Sequence, residues 1–493
     1  MNVPNVAPFN TLFPYQIVHL ASIGKSFDEN GCTLDSSDTG TGKTYTSSAL
    51  LKWKNRKAFV ICPKPVVESW FTILAAFGVE ILGVSNYEAI KNGKYYDTLE
   101  LFRSDMRIPC PYIEVVNEDG TDDFNWDLPA DAVVIFDEAH KGKNNITINS
   151  TLLVSTRRII QHGIKLLILS ATITDKIECF RVAAHLLGLS QYGKHAYRAW
   201  LRKLVPTVPG ETQIQMIHKI IYPKYGSRMR ILDLKHSEDE RINKLFKKND
   251  VLAETYQMSP EAEQEIINAH DDIARATQAL KNKMLLETCP LTIILRARQR
   301  IEMLKVPTMI LLAMEYMLND NSVVIFVNFN ETITSLFEDL DEFVQKEFRS
   351  FVTFIQGGQT AEERDYNIKS FQSDRSRLMI ANIKAGGTGV SLHDLNGNYP
   401  RVSIISPTWS SIDLKQVLGR IYRANARTDA VQRIVYCKGK VSGILPVSDL
   451  GDTTFHSEKG KVGIEELIAI NVNKKLETIE WLNNNDADDL TQL

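Results

Sequence analysis

The chain has 493 residues, 44% of them hydrophobic and 24% charged, with a formal net charge of -3 at pH 7. These values are typical of a globular protein of two or three domains, and they exclude binding of a polyanion through bulk charge alone. No apolar run reaches the roughly 18 residues that span a bilayer, and no C-x-x-C pair occurs among the six cysteines. We therefore expect a cytoplasmic or nuclear protein without a membrane partner, zinc site, disulfide framework or secretory signal.

The first motif in chain order is the segment DTGTGKT, residues 38–44, which precedes the helix-like text YTSSALLKW. Its two glycines let a turn bring several backbone N–H groups to a phosphate, Lys43 adds a positive charge, and the Thr44 hydroxyl can ligate Mg²⁺. The strict pattern has glycine where this chain has Ser37, but a small residue still permits the turn. The segment predicts a phosphate-binding loop followed by a helix.

Short runs rich in β-branched residues alternate with helix-like text downstream, which predicts a parallel sheet covered on both faces. These runs are AFVICP, EILGVS, AVVIFDEAH and KLLILSAT, at 58–63, 80–85, 132–140 and 165–172. In such a fold the ligand lies at the carboxyl ends of the strands. Asp137 and Glu138 occupy such an end, where one carboxylate can hold Mg²⁺ and the other can orient and activate the attacking water.

A set of ordered motifs resembles those of the superfamily 2 helicases and translocases. DTGTGKT, DEAH and SAT resemble motifs I, II and III, and FPYQ is similar to the adenine-reading element before motif I. In the second half, VVIFVNF (323–329) resembles motif IV, and QGGQTAEERDYNIKSFQ (356–372) resembles the segment that follows it. IANIKAGGTGVSLHD (380–394) resembles motif V, and QVLGRIYR (416–423) resembles motif VI. The resemblance runs from residue 13 to about residue 437.

Within the superfamily, the chain resembles the Swi/Snf-type double-strand translocases, and most of all the compact forms of large DNA viruses and phages. The features that carry this likeness are NYEAI (86–90), GGTGVSLHD and the long segment between the motif halves. Motif III departs from it, because SAT replaces T-G-T-P, and QVLGR equally resembles phage and repair helicases. DEAH does not imply the RNA helicases named for that string, since their motif VI differs from this one.

The resemblance implies an α/β fold of two RecA-like, doubly wound parallel-sheet domains in tandem with a mostly helical insertion. We expect the first domain at 1–191, the insertion at 192–306, the second domain at 307–475 with an exposed loop at 442–463, and an acidic tail at 476–493. The stretch 194–235 has nine Lys or Arg against two acids. Its arginines, and those of ARQRIEML (297–304), either hold a duplex backbone or form salt-bridged helix surfaces.

The family also implies an ATP and Mg²⁺ site between the two domains. The expected ATP-binding residues are Gln16, which reads adenine, with Ser37, Gly40, Thr41, Gly42, Lys43, Thr44, Gly389 and Gln416. The expected catalytic residues are Lys43, Asp137 and Glu138, with Arg420 and Arg423 as arginine fingers that are three apart on a helix and so share a face. Thr44 and Asp137 would hold Mg²⁺, and Ser170 and Thr172 would couple the γ-phosphate to movement. The expected nucleic-acid contacts, mostly to phosphate and without sequence preference, are Pro63, Lys64, Asn86, Asn328, Gly357, Gly358 and Thr388.

The function that the resemblance implies is a monomeric, virus-encoded motor that hydrolyses ATP to translocate on duplex DNA. One alternative is a strand-separating DNA or RNA helicase, which would need a wedge hairpin that no segment marks clearly. The other is an ATP-gated nucleic-acid clamp that serves partner proteins of a transcription or repair complex.

Overall fold

The computed structural model describes residues 7–118, 121–144, 147–174, 177–206, 211–282, 288–386 and 389–437. This part of the chain divides into two compact units, one ending at Phe246 and the other beginning at Lys247. The predicted loop at 442–463 and the acidic tail at 476–493 lie outside the described residues, as does Thr388.

The first unit is built on a six-stranded parallel sheet. The strands of this unit are β1 (Cys32–Asp35), β2 (Lys57–Cys62), β3 (Ile81–Asn86), β4 (Lys94–Tyr95), β5 (Ile108–Pro109), β6 (Ile113–Glu118), β7 (Thr121–Trp126), β8 (Ala132–Asp137), β9 (Lys165–Leu169) and β10 (Gly226–Ser227). The order across the main sheet is β10-β1-β9-β8-β2-β3, and every neighbouring pair is parallel. The four remaining strands form two antiparallel pairs, β4 with β5 and β6 with β7.

Helices cover both faces of this sheet. They are α1 (Pro14–Glu29), α2 (Lys43–Trp53), α3 (Val67–Ala76), α4 (Tyr87–Ile90), α5 (Leu99–Arg103), α6 (Ile148–Ser155), α7 (Arg181–Leu186), α8 (Lys194–Arg202), α9 (Gln213–Ile221), α10 (Ile231–Lys235) and α11 (Glu240–Asn243). Because strand side chains alternate between faces, Phe59 and Ile61 of β2 pack in one core, and Val60 and Cys62 pack in a second core on the other side. The sequences of these strands are almost continuously apolar because both faces of the sheet are buried.

The second unit repeats this architecture. Its strands are β11 (Asn249–Tyr256), β12 (Ser322–Val327), β13 (Val352–Ile355), β14 (Leu378–Asn382), β15 (Arg401–Ile405) and β16 (Ala430–Cys437), and its helices are α12 (Pro260–Lys281), α13 (Pro290–Leu304), α14 (Val306–Leu318), α15 (Asn330–Phe348), α16 (Ala361–Gln372), α17 (Ile383–Gly386) and α18 (Ser411–Leu418). The sheet order is β11-β16-β15-β12-β14-β13, again with parallel neighbours throughout. The predicted fold class, two doubly wound parallel sheets in tandem, is confirmed.

The segment predicted as an insertion, 192–306, is divided between the two units. Its first part adds the edge strand β10 to the first sheet, where Gly226 lies so near β1 that a Cβ would be 2.4 Å from the carbonyl oxygen of Leu34. Its second part adds β11, which pairs with β16 along eight residues, and the helices α12 and α13, which contact each other. Within the described ranges, no helix is both long and apolar enough to cross a membrane.

Candidate functional site

The loop between β1 and α2 has the backbone geometry of an anion cradle. Gly40 and Gly42 have φ values of +89° and +92°, a left-handed conformation that glycine adopts without steric cost. Helix α2 begins at Lys43, so the unpaired N–H groups of its first turn, which includes Thr44, and its positive dipole end adjoin the loop. The predicted phosphate loop is therefore built as an anion site at a helix N-terminus.

Lys43 folds back over this loop. Its Nζ donates hydrogen bonds to the carbonyl oxygens of Ser37 at 2.7 Å and Asp38 at 3.2 Å. Lysine has no acceptor, and its three donors can be redirected to phosphate oxygens that enter the loop. The charge of Lys43 also acts on the carboxylates of Asp35 and Asp137.

Gln16 joins helix α1 to the same loop. Its Nε2 donates to the carbonyl oxygen of Thr41 at 2.9 Å, and its Oε1 accepts the N–H of Phe13 at 2.9 Å. Both Gln16 and Thr41 are buried, and a Cβ on Gly42 would lie 2.1 Å from the Gln16 Nε2. The structure thus brings the predicted adenine reader to the loop, and its amide keeps a second N–H and a second oxygen lone pair for a further contact.

A segment that the sequence did not connect with the loop braces it from the other side. The Ser37 Oγ accepts the N–H of Met229 at 2.8 Å, and the Ser37 N–H donates to Asp35 Oδ1 at 3.0 Å. Asp38 donates its N–H to the carbonyl oxygen of Met229 at 2.9 Å and accepts the N–H of Ile231 on Oδ2 at 2.9 Å. We call residues 222–231 the bracing segment. Ser37, where the strict pattern has glycine, supplies one of its attachment points.

A buried contact between a histidine and a carboxylate lies beneath the loop. His19 Nε2 is 3.1 Å from Asp35 Oδ2, and both side chains are buried. Burial alone would raise the pKa of Asp35, but His19, Lys43 and a hydrogen bond from Ser37 together hold it below its usual value. The carboxylate therefore stays ionised and fixes the end of β1, a role that the sequence did not indicate.

The paired carboxylates stand at the end of β8. Asp137 Oδ2 accepts the indole N–H of Trp70 at 3.0 Å, and its Oδ1 accepts the N–H of Glu138 at 2.9 Å. Glu138 has a left-handed φ of +53°. Burial and the negative charge of Glu138 raise the pKa of Asp137 to about 6. A divalent cation would offset both effects, so this pair, with the Thr44 hydroxyl, fits a Mg²⁺ site.

The predicted coupling residues contact the same cluster. Strand β9 lies between β1 and β8, which places the loop after it beside both motifs. His140 Nδ1 is 3.2 Å from Glu138 Oε2, 3.2 Å from Ser170 Oγ and 3.5 Å from Thr172 Oγ1. The imidazole of His140, which was not among the predicted residues, therefore joins the Glu138 carboxylate to Ser170 and Thr172.

The predicted nucleic-acid residues of the first unit also follow strand ends. Pro63 and Lys64 come after β2, and the Lys64 Nζ lies 3.1 Å from Asp105 Oδ1 in an exposed ion pair. Asn86 ends β3, is buried, and caps α4 by accepting two backbone N–H groups on its Oδ1 at 3.0 Å. Its Nδ2 has no hydrogen-bond partner among the described residues.

In the second unit, Gly357 and Gly358 follow β13 and are exposed, and a Cβ on either would meet no atom within 4 Å. The backbone there is open to a large ligand. Asn328 follows β12, but its Nδ2 already donates to Glu302 Oε2 at 2.6 Å and to the carbonyl oxygen of Pro407 at 3.1 Å. Gly389 is exposed, with a left-handed φ of +70°.

The two arginines of the last motif do not lie on a helix. Helix α18 ends at Leu418, so the prediction of a shared helical face for Arg420 and Arg423 is wrong. Both guanidinium groups nevertheless donate to one acceptor, the carbonyl oxygen of Val390, from Arg420 Nη1 at 3.0 Å and Arg423 Nη2 at 2.8 Å. Burial and the charge of Arg420 lower the pKa of Arg423 to about 9. Gln416 is buried on α18, and its carbonyl oxygen accepts Arg420 Nε.

Two family models match most of the described chain. Residues 308–425 match the helicase conserved C-terminal domain, and residues 10–175 match the res subunit of type III restriction enzymes. A protein of Acanthamoeba polyphaga mimivirus, provisionally named an ATP-dependent RNA helicase, is 31% identical over 498 residues. That match covers 97% of this chain and 84% of the viral protein.

Two solved structures match this chain at low identity. The DNA-bound DUF1998 helicase MrfA has a TM-score of 0.50 at 12% identity, and the match covers 86% of this chain and 46% of that one. The SWI2/SNF2 ATPase core of Sulfolobus solfataricus in complex with double-stranded DNA has a TM-score of 0.34 at 15% identity, covering 86% and 88% of the two chains.

Proposed function

Because this chain belongs to superfamily 2 of the helicases and translocases, an ATP-dependent class of nucleic-acid motors, we propose that it hydrolyses ATP to translocate along duplex DNA. The observation that carries the proposal is the cluster of the first unit. There the phosphate loop, the Asp137–Glu138 pair and the His140–Ser170 contact meet at the carboxyl ends of three adjacent strands. In open parallel sheets this edge is where ligands bind.

The roles of the residues follow from their chemistry. Lys43 and the loop N–H groups would hold the β- and γ-phosphates. Thr44 and Asp137 would hold Mg²⁺, which when bound would supply positive charge beside the phosphates. Glu138 orients and activates the attacking water. The remaining members of the site are assigned from the family: Gln16, Ser37, Gly40, Thr41, Gly42, Gly389 and Gln416 bind the nucleotide, and Arg420 and Arg423 stabilise the transferred phosphoryl group.

The contact between Glu138, His140 and Ser170 supports coupling of hydrolysis to movement. A change in the charge around the γ-phosphate reaches Glu138 first, and His140 links that carboxylate to the loop after β9. We assign contacts with the nucleic-acid backbone to Pro63, Lys64, Asn86, Asn328, Gly357, Gly358 and Thr388. Contacts of this kind give affinity without sequence preference.

Translocation, rather than strand separation, is supported by the one long hairpin of the described first unit. Strands β6 and β7 form it, and residues 113–126 contain five acids and no Lys or Arg. It is also anchored, since Asp123 pairs with Arg158 at 2.8 Å and the indole of Trp126 donates to Ser155 Oγ at 2.8 Å. An acidic, fixed hairpin is repelled by phosphates and makes a poor wedge.

A strand-separating RNA helicase is the second candidate, and the name of the mimivirus relative favours it. The same relative supports a viral origin for this chain. Partner proteins of a transcription or repair complex are expected if the motor acts as an ATP-gated clamp.

The deciding experiment is ATP hydrolysis by the purified chain at fixed salt, with no nucleic acid, single-stranded DNA, duplex DNA or RNA. Salt is held constant because phosphate contacts weaken steeply as it rises. Stimulation by duplex DNA alone, together with displacement of a third strand from a triplex, is the expected result. Stimulation by RNA or single strands would replace the translocase with the helicase. Hydrolysis without triplex displacement would favour the clamp.

Lys43→Ala is the control for the site itself and is expected to abolish turnover. Wild-type turnover in this variant would place the hydrolytic site elsewhere.

A further inference from the structure

The second unit contains a small cavity of which only one lining residue, Asn328, has a proposed role. It lies at the carboxyl ends of β12 and β15, which are adjacent in the sheet, and part of its wall comes from α12 and α13. Its volume of about 30 Å³ holds roughly two or three water-sized groups. That is enough for the two non-bridging oxygens of one phosphodiester and far too little for a base or a nucleotide.

His270, on α12, lines this cavity and is only 4% exposed. Neither of its ring nitrogens has a hydrogen-bond partner among the described residues. A buried polar group without a partner costs about 1–3 kcal/mol, and an imidazole leaves two such groups here. The position therefore either lacks its ligand or would be better filled by an apolar ring.

The one carboxylate in the lining is already satisfied. Glu302 accepts hydrogen bonds from five donors: the backbone N–H of Asn328 and of Phe329, the Asn328 amide, and the hydroxyls of Thr332 and Ser406. These bonds fix the loops after β12 and β15. The carboxylate oxygens of Glu302 therefore already have hydrogen-bond donors and do not require one from a ligand in the cavity.

The cations of the lining are placed differently. Lys305 is 1% exposed, and its Nζ donates to the carbonyl oxygen of Val435 at 3.3 Å. The Arg298 guanidinium lies over the indole of Trp409 at 5.5 Å and has no hydrogen bond within the described ranges. Other arginines that the sequence grouped with it are held by acids: Arg300 is 3.8 Å from Glu265, and Arg230 is paired with Asp233. Arg298 is therefore a partly buried cation with its donors available.

We propose that this cavity binds one phosphate group of the nucleic-acid backbone, with His270 donating a hydrogen bond and Arg298 supplying charge and donors. That the phosphate group belongs to a nucleic acid rests on the proposed function, whereas the binding of a phosphate group rests on the cavity alone. Free phosphate shares that chemistry, and the experiment separates the two. Trp409, 39% exposed at the rim, holds Arg298 in place from one side.

The first test is the salt dependence of duplex-DNA binding, measured by fluorescence anisotropy without nucleotide for the wild type, Arg298→Gln and Arg296→Gln. Arg296 is exposed and lies two residues earlier on the same helix, so it is a matched control. One lost phosphate contact lowers the slope of log K against log salt by roughly 0.9 and weakens binding roughly eightfold at 0.1 M salt. We expect this loss in Arg298→Gln and an unchanged slope in Arg296→Gln. Equal losses in both variants, or none in Arg298→Gln, would overturn the site.

The second test uses His270→Phe, which fills similar space with an apolar ring. Removing two unpartnered polar atoms is expected to raise the midpoint of thermal unfolding by roughly 2–4 °C per kcal/mol gained. If His270 is a phosphate ligand, the same variant binds DNA more weakly despite its greater stability. A stabilised variant with wild-type DNA affinity would mean that His270 is only an unsatisfied core residue.

A third arm titrates inorganic phosphate at constant ionic strength. Phosphate that competes with DNA in the wild type but not in Arg298→Gln is the expected result. Phosphate binding that depends on Arg298 while the DNA slopes remain equal would assign the cavity to a free anion. If no nucleic acid stimulates hydrolysis, the proposed function fails, and this arm still tests the phosphate site.

Discussion

The indole N–H of Trp70 donates a hydrogen bond to Oδ2 of Asp137 at 3.0 Å. Trp70 is fully buried on α3, and its bond acts against the two causes that raise the pKa of this carboxyl, burial and the charge of Glu138. If Asp137 holds Mg²⁺ as proposed, a proton competes with the metal, so the pKa of about 6 predicts an acid limit to hydrolysis when Mg²⁺ is not saturating. Turnover is expected to fall as the pH drops through this value.

Trp70→Phe removes the hydrogen bond and keeps an aromatic ring in the core. The pKa of Asp137 then rises, so the acid limb of the kcat profile shifts to higher pH, and turnover at neutral pH falls severalfold. The unfolding free energy should fall by about 1–3 kcal/mol. Hydrolysis measured from pH 5 to pH 9 at a fixed, subsaturating Mg²⁺ concentration checks this. An acid limb at the wild-type pH would show that Asp137 does not control it.

Glu138→Gln is expected to shift the pKa of Asp137 in the opposite direction, to lower pH. It removes the water-activating carboxylate, so turnover is abolished while ATP binding is kept. It also removes a negative charge that raises the pKa of Asp137. Mg²⁺-dependent binding of a fluorescent ATP analogue should therefore persist to lower pH than in the wild type. If binding were lost at the same pH as in the wild type, the charge of Glu138 would not raise the pKa of Asp137.

Ser37→Ala tests the bracing segment. The change leaves the N–H of Met229 without its acceptor and is expected to lower the unfolding free energy by about 1–3 kcal/mol. Ser37→Gly, although it restores the strict motif, should be destabilised at least as much, because glycine adds backbone freedom to the unfolded chain. Denaturant unfolding measures both, and Ser104→Ala, an exposed serine of the same unit, should change stability by less than about 0.5 kcal/mol. A Ser37→Ala variant as stable as the wild type would refute the role of this hydroxyl.

Arg423→Ala tests the proposed arginine finger. Loss of a charge that stabilises the transferred phosphoryl group lowers kcat by roughly 10²–10³ with little change in ATP affinity. Arg427→Ala, an exposed arginine four residues later, is the matched control and should retain full turnover. A large rise in KM with unchanged kcat would instead indicate a binding role.

Local pattern predicted much of this fold. The runs at 58–63 and 132–140 contain the strands β2 (Lys57–Cys62) and β8 (Ala132–Asp137), because burial on both faces requires a continuous apolar sequence. The position of Asp137 could be predicted for the same reason, since it is the last residue of its strand. What periodicity could not show are pairings between distant residues. Strand β10 has only two residues, and it is recognisable as a strand only because it pairs with β1.

The site residues that belong to sequence motifs could be predicted. Those that reach the site only through tertiary contacts could not. Nothing local to Trp70 or His19 indicates that each contacts a carboxylate far along the chain. The helix expected around Arg420 and Arg423 ends at Leu418, and their convergence on Val390 depends on a segment about 30 residues earlier in the chain. A signal for His140 did exist, because it belongs to the quoted DEAH string.

The bond between Ser37 and Met229 joins residues 192 positions apart, so the ribosome finishes the phosphate loop long before it makes the brace. At roughly 5–20 residues per second, the loop waits on the order of ten seconds or more for its second anchor. A fragment that stops at residue 191 would reproduce that unfinished state permanently, with the outer edge of β1 bare. The cut that would yield a folded nucleotide-binding fragment therefore falls at 246, and not after the last motif of the first half.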